Sequence, residues 1–214
     1  MDALDRLAEP ARELLARVDD RLAEGAPEAH PVWPLLRRMR LLPGEALGVF
    51  LELHPGPLAT AGHAVRRHVG EYDDACAALA DPVLWSGPAA GAYDEARGAL
   101  LRHLDEGPES LVGRLEATAG YADALAHWVE GSRLAVARVL AEVLGSAEAV
   151  RVRAESPAGA LAAAEIATRV LAVLGVAYDG AETLLREWSP SLGESTWRPP
   201  TGGPAHHGRP VRVG

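Results

Sequence analysis

The chain of 214 residues contains no lysine, no asparagine and no glutamine, so each of its 21 basic residues is an arginine. A Walker-type phosphate loop and a Schiff-base enzyme both need lysine, and a papain-like triad and N-glycosylation both need asparagine, so those chemistries are excluded together. Cysteine is almost absent as well. Cys76 stands alone, which rules out an intrachain disulfide and a cysteine-rich metal centre and leaves the redox compartment open. Aromatic residues make up 5% of the chain and there is a single isoleucine, so the residues that fill β-sheets are scarce. No uninterrupted apolar run approaches the ~18 residues of a membrane span, and the opening Met1-Asp2-Ala3-Leu4-Asp5-Arg6 places acids where a Sec signal places bases. Neither a membrane span nor Sec export is expected.

What the chain does have is alanine and leucine, 41 and 30 residues respectively, within a hydrophobic fraction of 48% and a charged fraction of 24%. These are strong helix formers in a proportion that supports one sizeable core, so an all-α protein is expected. The net charge of −9 repels nucleic acid phosphates and anionic membranes. The one dense basic segment, Arg37, Arg38 and Arg40, reads as a solvated helix face, and no nucleic acid partner is expected.

Periodicity and punctuation divide the chain into an N-terminal helical arm over 1–57, a helical bundle over 58–188 and a Pro/Gly-rich tail over 189–214. In the arm, Leu4, Leu7, Ala11, Leu15, Val18 and Leu22 mark a helix that Pro10 is expected to break or restart. Six prolines between 27 and 57 leave room for short helices around 34–41 and 44–53, anchored by Trp33, Leu36, Met39, Val49, Phe50 and Leu53. Heptad-like seams follow: Ala61, Val65, Val69, Tyr72, Cys76 and Leu79; then Ala89, Ala92, Tyr93, Ala96, Leu100 and Leu104. The longest runs through Leu111, Leu115, Thr118, Ala122, Leu125, Val129, Ser132, Val136, Val139 and Val143, and the last through Ala164, Ala167, Leu171, Leu174, Tyr178, Ala181, Leu185 and Trp188. The 145–157 segment between them reads as a connection. An elongated antiparallel bundle with an N-terminal arm is the expected architecture.

Three His-x-x-Glu pairs, His68/Glu71, His103/Glu106 and His127/Glu130, sit one helical turn apart as metal ligands in a bundle would. Di-iron bundles carry Glu before His and two further inward glutamates, and these histidines flank the seams, so solvated pairs are expected and no metal or cofactor is assigned. His206 and His207 lack partners at ligand spacing. The adjacent acids Asp19-Asp20 and Asp73-Asp74 point in different directions on a helix, and no nucleophile elbow is present, so no catalytic residue is assigned.

The most informative string is Leu84-Trp85-Ser86-Gly87-Pro88-Ala89-Ala90-Gly91-Ala92-Tyr93, placed between two amphipathic helices. A tryptophan at a hairpin tip covers the open end of the pair, Gly87 supplies a positive φ or close approach, Pro88 suits the first helical position, and small alanines let the helices approach. With Trp85, Gly87, Ala89, Ala90, Ala92 and Tyr93, the string resembles the WxG family of helical-hairpin proteins that travel through type VII (ESX) secretion, over about residues 58–145. Residues 158–188 resemble the added helices of its longer members. The N-terminal arm and the break at Gly107-Pro108 depart from the small members, and the Pro-Pro-Glu signature of one long branch is missing.

The resemblance implies a non-enzymatic protein that acts through helix–helix contacts, with a small WxG partner, a second copy or the export ATPase as partner. It also implies export by the type VII route, directed by a Tyr-x-x-x-Asp/Glu signal near the end of the helices, which Tyr178 and Glu182 match. On the residues alone, Tyr178 lies on an apolar seam and core packing is its simplest role. A cytoplasmic helical adaptor or scaffold, and a recognition module of a secreted toxin, are the alternatives.

Overall fold

The structure, a computed structural model, describes residues 1–81, 84, 86–154 and 158–193. Among them the chain is all helical, as its composition implies: α1 (Ala3–Glu24), α2 (Val32–Met39), α3 (Pro43–Leu51), α4 (Pro55–Ala80), α5 (Pro88–Asp105), α6 (Leu111–Leu144), α7 (Ala147–Arg153) and α8 (Gly159–Trp188), followed by a 3-10 turn at Ser189–Leu192. The described residues group into two compact units: those of 1–61 with 121–188, and those of 62–120 with 189–193.

In the first unit α1 is continuous and carries Pro10 inside it, where a break was expected. Pro10 is exposed, so the carbonyl one turn back that loses its N–H partner can turn to water. On the core face Leu4, Ala11, Leu14, Leu15, Val18 and Leu22 are buried on both sides of the proline and hold the helix in register. Helix α1 packs on α3, α7 and α8, and α2 and α3 also pack on α8. Phe50, Leu47 and Ala46 of α3 and Val32 of α2 are fully buried in the same core. Residues of α1, α2 and α3 share their core with α6, α7 and α8. Of the expected anchors Phe50 is buried, Trp33, Leu36, Met39 and Leu53 are partly buried against the core, and Val49 is exposed.

Helix α8 lies at the centre of this core. Ala162, Ala163, Ala164, Ile166, Ala167, Val170, Leu171 and Leu174 are buried, a wider face than a single seam, because small alanines let four helices approach it. The segment Gly159–Leu192 is long and apolar enough by length and composition to cross a membrane, and 56% of its most apolar window is buried inside the protein. Burial fades along the expected seam: Tyr178 and Ala181 are half-buried and Leu185 is exposed. The 145–157 connection contains α7, which Ser146 starts by accepting from the Ala149 N–H at 3.2 Å. Ala149 and Val152 then bury on the core side.

The second unit is thinly cored. Helix α4 buries only Gly62 and Cys76 among its residues, and α5 only Ala90. Around them Ser110, Val112 and Ala119 of the α5–α6 turn and the start of α6 are buried. Ser110 opens α6 by accepting from the Gly113 N–H at 3.0 Å.

The buried stripe of α6 corrects its expected seam. Val129, Val136 and Val143 are buried as anticipated, but their partners along the face are Val112, Ala119, Ala126, Arg133 and Leu140, each one residue beyond the predicted Leu111, Thr118, Leu125, Ser132 and Val139. A charged residue thus occupies a core position. Arg133 is 1% exposed. Its Nε donates to Asp2 Oδ2 at 2.6 Å, and its Nη1 donates to the carbonyls of Leu51 and Leu53 at 3.2 and 2.9 Å. Its Nη2 donates to Asp2 Oδ1 at 3.2 Å and to Asp5 Oδ1. All five guanidinium N–H groups are accounted for. The two carboxylates are already organised as the reciprocal cap of α1, with the Asp5 N–H on Asp2 Oδ1 at 2.9 Å and the Asp2 N–H on Asp5 Oδ2 at 3.0 Å.

Removing the acceptors from a buried guanidinium costs more than removing the whole group, because an uncompensated charge stays behind. Asp2→Ala combined with Asp5→Ala should therefore lower the urea midpoint, more than either change alone. Adding Arg133→Leu to that double variant should return part of the loss, and a further loss on adding it would contradict this account of the node.

Candidate functional site

The WxG string falls on the connection between α4 and α5. Gly87 has φ 113° and ψ 177°, a conformation that disfavours a side chain, and its carbonyl accepts the N–H groups of Ala90 and Gly91 at 3.0 and 3.2 Å. Pro88 takes the first position of α5, where its missing N–H costs nothing. Trp85 lies outside the described residues. Ala90 is buried, Ala89 is exposed, and Tyr93 is 43% exposed. Helices α4 and α5 meet further along than the turn implies: Arg97 Nη1 donates to the Asp81 carbonyl at 2.5 Å. Cys76, Ala77 and Ala80 line one shallow pocket with Leu101 and Asp105. Residues 91–96 of α5 remain exposed.

The candidate export signal sits on the C-terminal half of α8. Tyr178 and Glu182 are one turn apart on one face, and both line a groove of about 590 Å³ with Arg38, Met39, Leu41 and Leu185. Arg38 pairs with Asp179, and it crosses α8 at Gly175, where an added Cβ would lie 3.5 Å from Nη1. Glu182 is exposed and lies 3.9 Å from Arg186, a weak surface pair. Gly180, inside the string, answers to the core: a Cβ there would lie 3.0 Å from Nε1 of Trp128. That indole donates to the Ala177 carbonyl at 2.9 Å and meets Phe50 edge-on, with centroids 6.5 Å apart.

The His-x-x-Glu pairs do not converge. His68 Nδ1 lies 2.9 Å from Glu71 Oε2 on the exposed side of α4. His127 turns to the Asp123 carbonyl at 2.9 Å, one turn back. Among the described residues no three His, Cys, Asp or Glu side chains gather as a metal centre would require. Cys76 is buried beside Asp73 and Asp105, and burial pushes its thiol pKa up, which disfavours the reactive thiolate.

Asp19 and Asp2 are the most strongly shifted acids of the first unit. Asp19 of α1 caps α3, its carboxylate accepting from the Gly44 N–H at 3.0 Å, and a Cβ on Gly44 would lie 2.5 Å from that oxygen. Burial, with Glu45 and Asp20 nearby, lifts its pKa to about 6 against the bond from Gly44. The Arg133 hydrogen bond holds Asp2 at about 2.

Compared with protein families, curated proteins and solved structures, the chain matches none.

The two shifts act on stability with opposite signs. Asp19 binds its proton more tightly folded than unfolded, so its contribution should rise as pH falls from about 6 towards the ordinary carboxylate range. Asp2 binds its proton less tightly folded, so its contribution is complete above that range and is lost as pH falls towards about 2; Asp5 and Glu148, also lowered, add to this limb. Urea midpoints measured across pH 2–8 should flatten in the upper limb for Asp19→Asn and in the lower limb for Asp2→Asn. An Asp19→Asn profile that superimposes on wild type would contradict the assignment.

Proposed function

We propose that this chain is a non-enzymatic helical interaction protein, a WxG-type substrate or associate of type VII secretion. The observation that carries the interaction reading is the α4–α5 pair, two helices of 26 and 18 residues that bury three of their own residues between them. Helices of that length gain most of their stability from packing, so a pair left this open has much to gain from a partner helix. Leu84 is almost fully exposed and Tyr72 and Tyr93 are partly so, which adds apolar surface along the same pair.

Support for the secretion reading comes from the resemblance and from two local geometries. Gly87 and Pro88 make the sharp entry into α5 that the string calls for. Tyr178 and Glu182 present a phenol and an exposed carboxylate, weakly paired with Arg186, one turn apart beside a groove near the end of the last long helix. A motor protein or chaperone that reads a helical C-terminal signal needs such a face accessible. A cytoplasmic adaptor would use the same open hairpin, so cellular location separates the two readings.

In a host with an active type VII system, the chain should appear in the medium, and deleting the export ATPase should retain it in the cell. Glu182→Ala, an exposed change expected to stay within about ±0.5 kcal/mol in stability, should reduce the exported amount while the cellular pool stays folded. Deletion of 189–214 should do the same. Wild-type protein found wholly in the cytoplasm of that host would leave the adaptor reading in its place.

A further inference from the structure

We infer that the end of α2 and the groove beside it dock an amphipathic helical segment of another protein, acidic along the edge that meets Arg37 and Arg40. Arg40 ends α2 at φ 55° and ψ 22°, with its N–H on the Leu36 carbonyl at 2.8 Å. This left-handed conformation disfavours a residue with a Cβ, and glycine or asparagine takes such a cap by preference. Elsewhere among the described residues a positive φ falls on Gly25, Gly87 and Gly107. The chain holds 22 glycines, yet it places an arginine at 40, so the strain is kept for the sake of the side chain. Arg37 and Arg40 are exposed, and among the described residues neither guanidinium has a hydrogen bond or an ion pair. With 30 acids in the chain against 21 arginines, two neighbouring cations without an internal partner suit an acid from outside.

The groove sets the rest of the occupant's character. Arg38 and Met39, which lie between the two unpaired arginines in the chain, line it with Leu41 from one side, and Tyr178, Ala181 and Leu185 line it from α8. Met39 and Leu41 are half-buried and Leu185 is 56% exposed, so apolar side chains from outside would cover surface that α2 and α8 leave open. Arg38 is engaged with Asp179, which leaves Arg37 and Arg40 to carry the positive charge of the α2 rim. The α8 rim carries Glu182 and is acidic. An occupant therefore needs acids on its α2 edge, neutral or basic residues on its α8 edge and an apolar face between them, which a helix laid in a groove supplies at i, i+3, i+4 and i+7. Nucleic acid has phosphate in place of an apolar face and would set it against Glu182, so a protein segment is favoured. Docking of this kind needs no export, and purified protein reads it apart from secretion.

Fluorescence anisotropy with the full chain tests it at about 150 mM NaCl, where charges beyond ~8 Å are largely screened. The probe is a labelled helical peptide of roughly 15 residues, with leucine along one face, glutamate along one flank and arginine along the other. It should bind with a Kd between about 10 μM and about 1 mM, and its counterpart with glutamine for glutamate should bind about tenfold more weakly. Arg37→Glu with Arg40→Glu should weaken the probe by about tenfold or more, and Leu185→Ala by about threefold. Arg12→Glu with Arg17→Glu makes the same change in net charge at exposed positions of α1 and should leave binding as it is. Arg40→Gly separates function from fold: it should keep or raise the urea midpoint, because the cap is relieved, while it weakens the probe. An Arg40→Gly midpoint below wild type would make Arg40 a structural residue and overturn the inference. So would no binding at about 1 mM, equal binding of the glutamine peptide, indifference to Leu185→Ala, or an equal loss in the α1 variant. A single-stranded DNA oligonucleotide that binds more tightly than the peptide through Arg37 and Arg40 would put nucleic acid in its place.

Discussion

The first unit depends on one buried guanidinium. Arg133 sits in the core stripe of α6, and its five N–H groups reach two carboxylates at the start of α1 and two carbonyls at the end of α3. A cation in an apolar stripe is costly unless every donor is met, so the surrounding helices have little freedom in where they place their ends. Sliding α1 by one turn, about 5.4 Å, would carry both aspartates out of reach. Alanine-rich helix faces are smooth and tolerate several registers, whereas this cluster tolerates one. The planar fork of arginine suits the task, since it can serve two carboxylates and two carbonyls at fixed angles.

That constraint also explains how burial is distributed. Once α1 and α3 are tied to α6, their apolar stripes close over α8 together with α7, and the large fully buried side chains, Phe50, Leu14, Leu15, Leu47, Leu140, Ile166, Leu171 and Leu174, all belong to this unit. The residues of α4 and α5 have no comparable node. Their seams are real in the sequence but meet mostly small or half-exposed neighbours, so the pair is helical without being well cored.

Helix content, most helix positions, the Gly87-Pro88 entry into α5 and the α8 seam through Ala164, Ala167, Leu171 and Leu174 were legible from spacing and punctuation alone. The failures share a cause. Reading Ser132 into the α6 seam in place of Arg133 follows from the rule that charges avoid cores, and the exception rests on acceptors 131 residues away in the chain. The local rule makes Pro10 a breaker because it sees the missing N–H and not the apolar stripe that spans it. Helix α7 was too short for periodicity, and its signal was the serine cap. For the candidate sites, the sequence placed Tyr178 and Glu182 on one face, which helical spacing guarantees, but gave no view of Arg38 arriving from α2 to form the other wall of the groove.

Within the string Tyr178-Asp179-Gly180-Ala181-Glu182 the fold accounts for some residues and not for others. A Cβ at Gly180 would crowd the Trp128 indole at 3.0 Å, Asp179 pairs with Arg38, and Tyr178 is half-buried against α2. These three would be selected in any protein built on this core, whether or not it is exported. Glu182 has only a distant pair with Arg186, in which both side chains are more than two-thirds exposed, and such a pair contributes little to stability. Glu182 is therefore the residue of the string at which a functional demand and a structural one can be told apart, because a change there that alters behaviour without altering the fold has to act through something outside the chain.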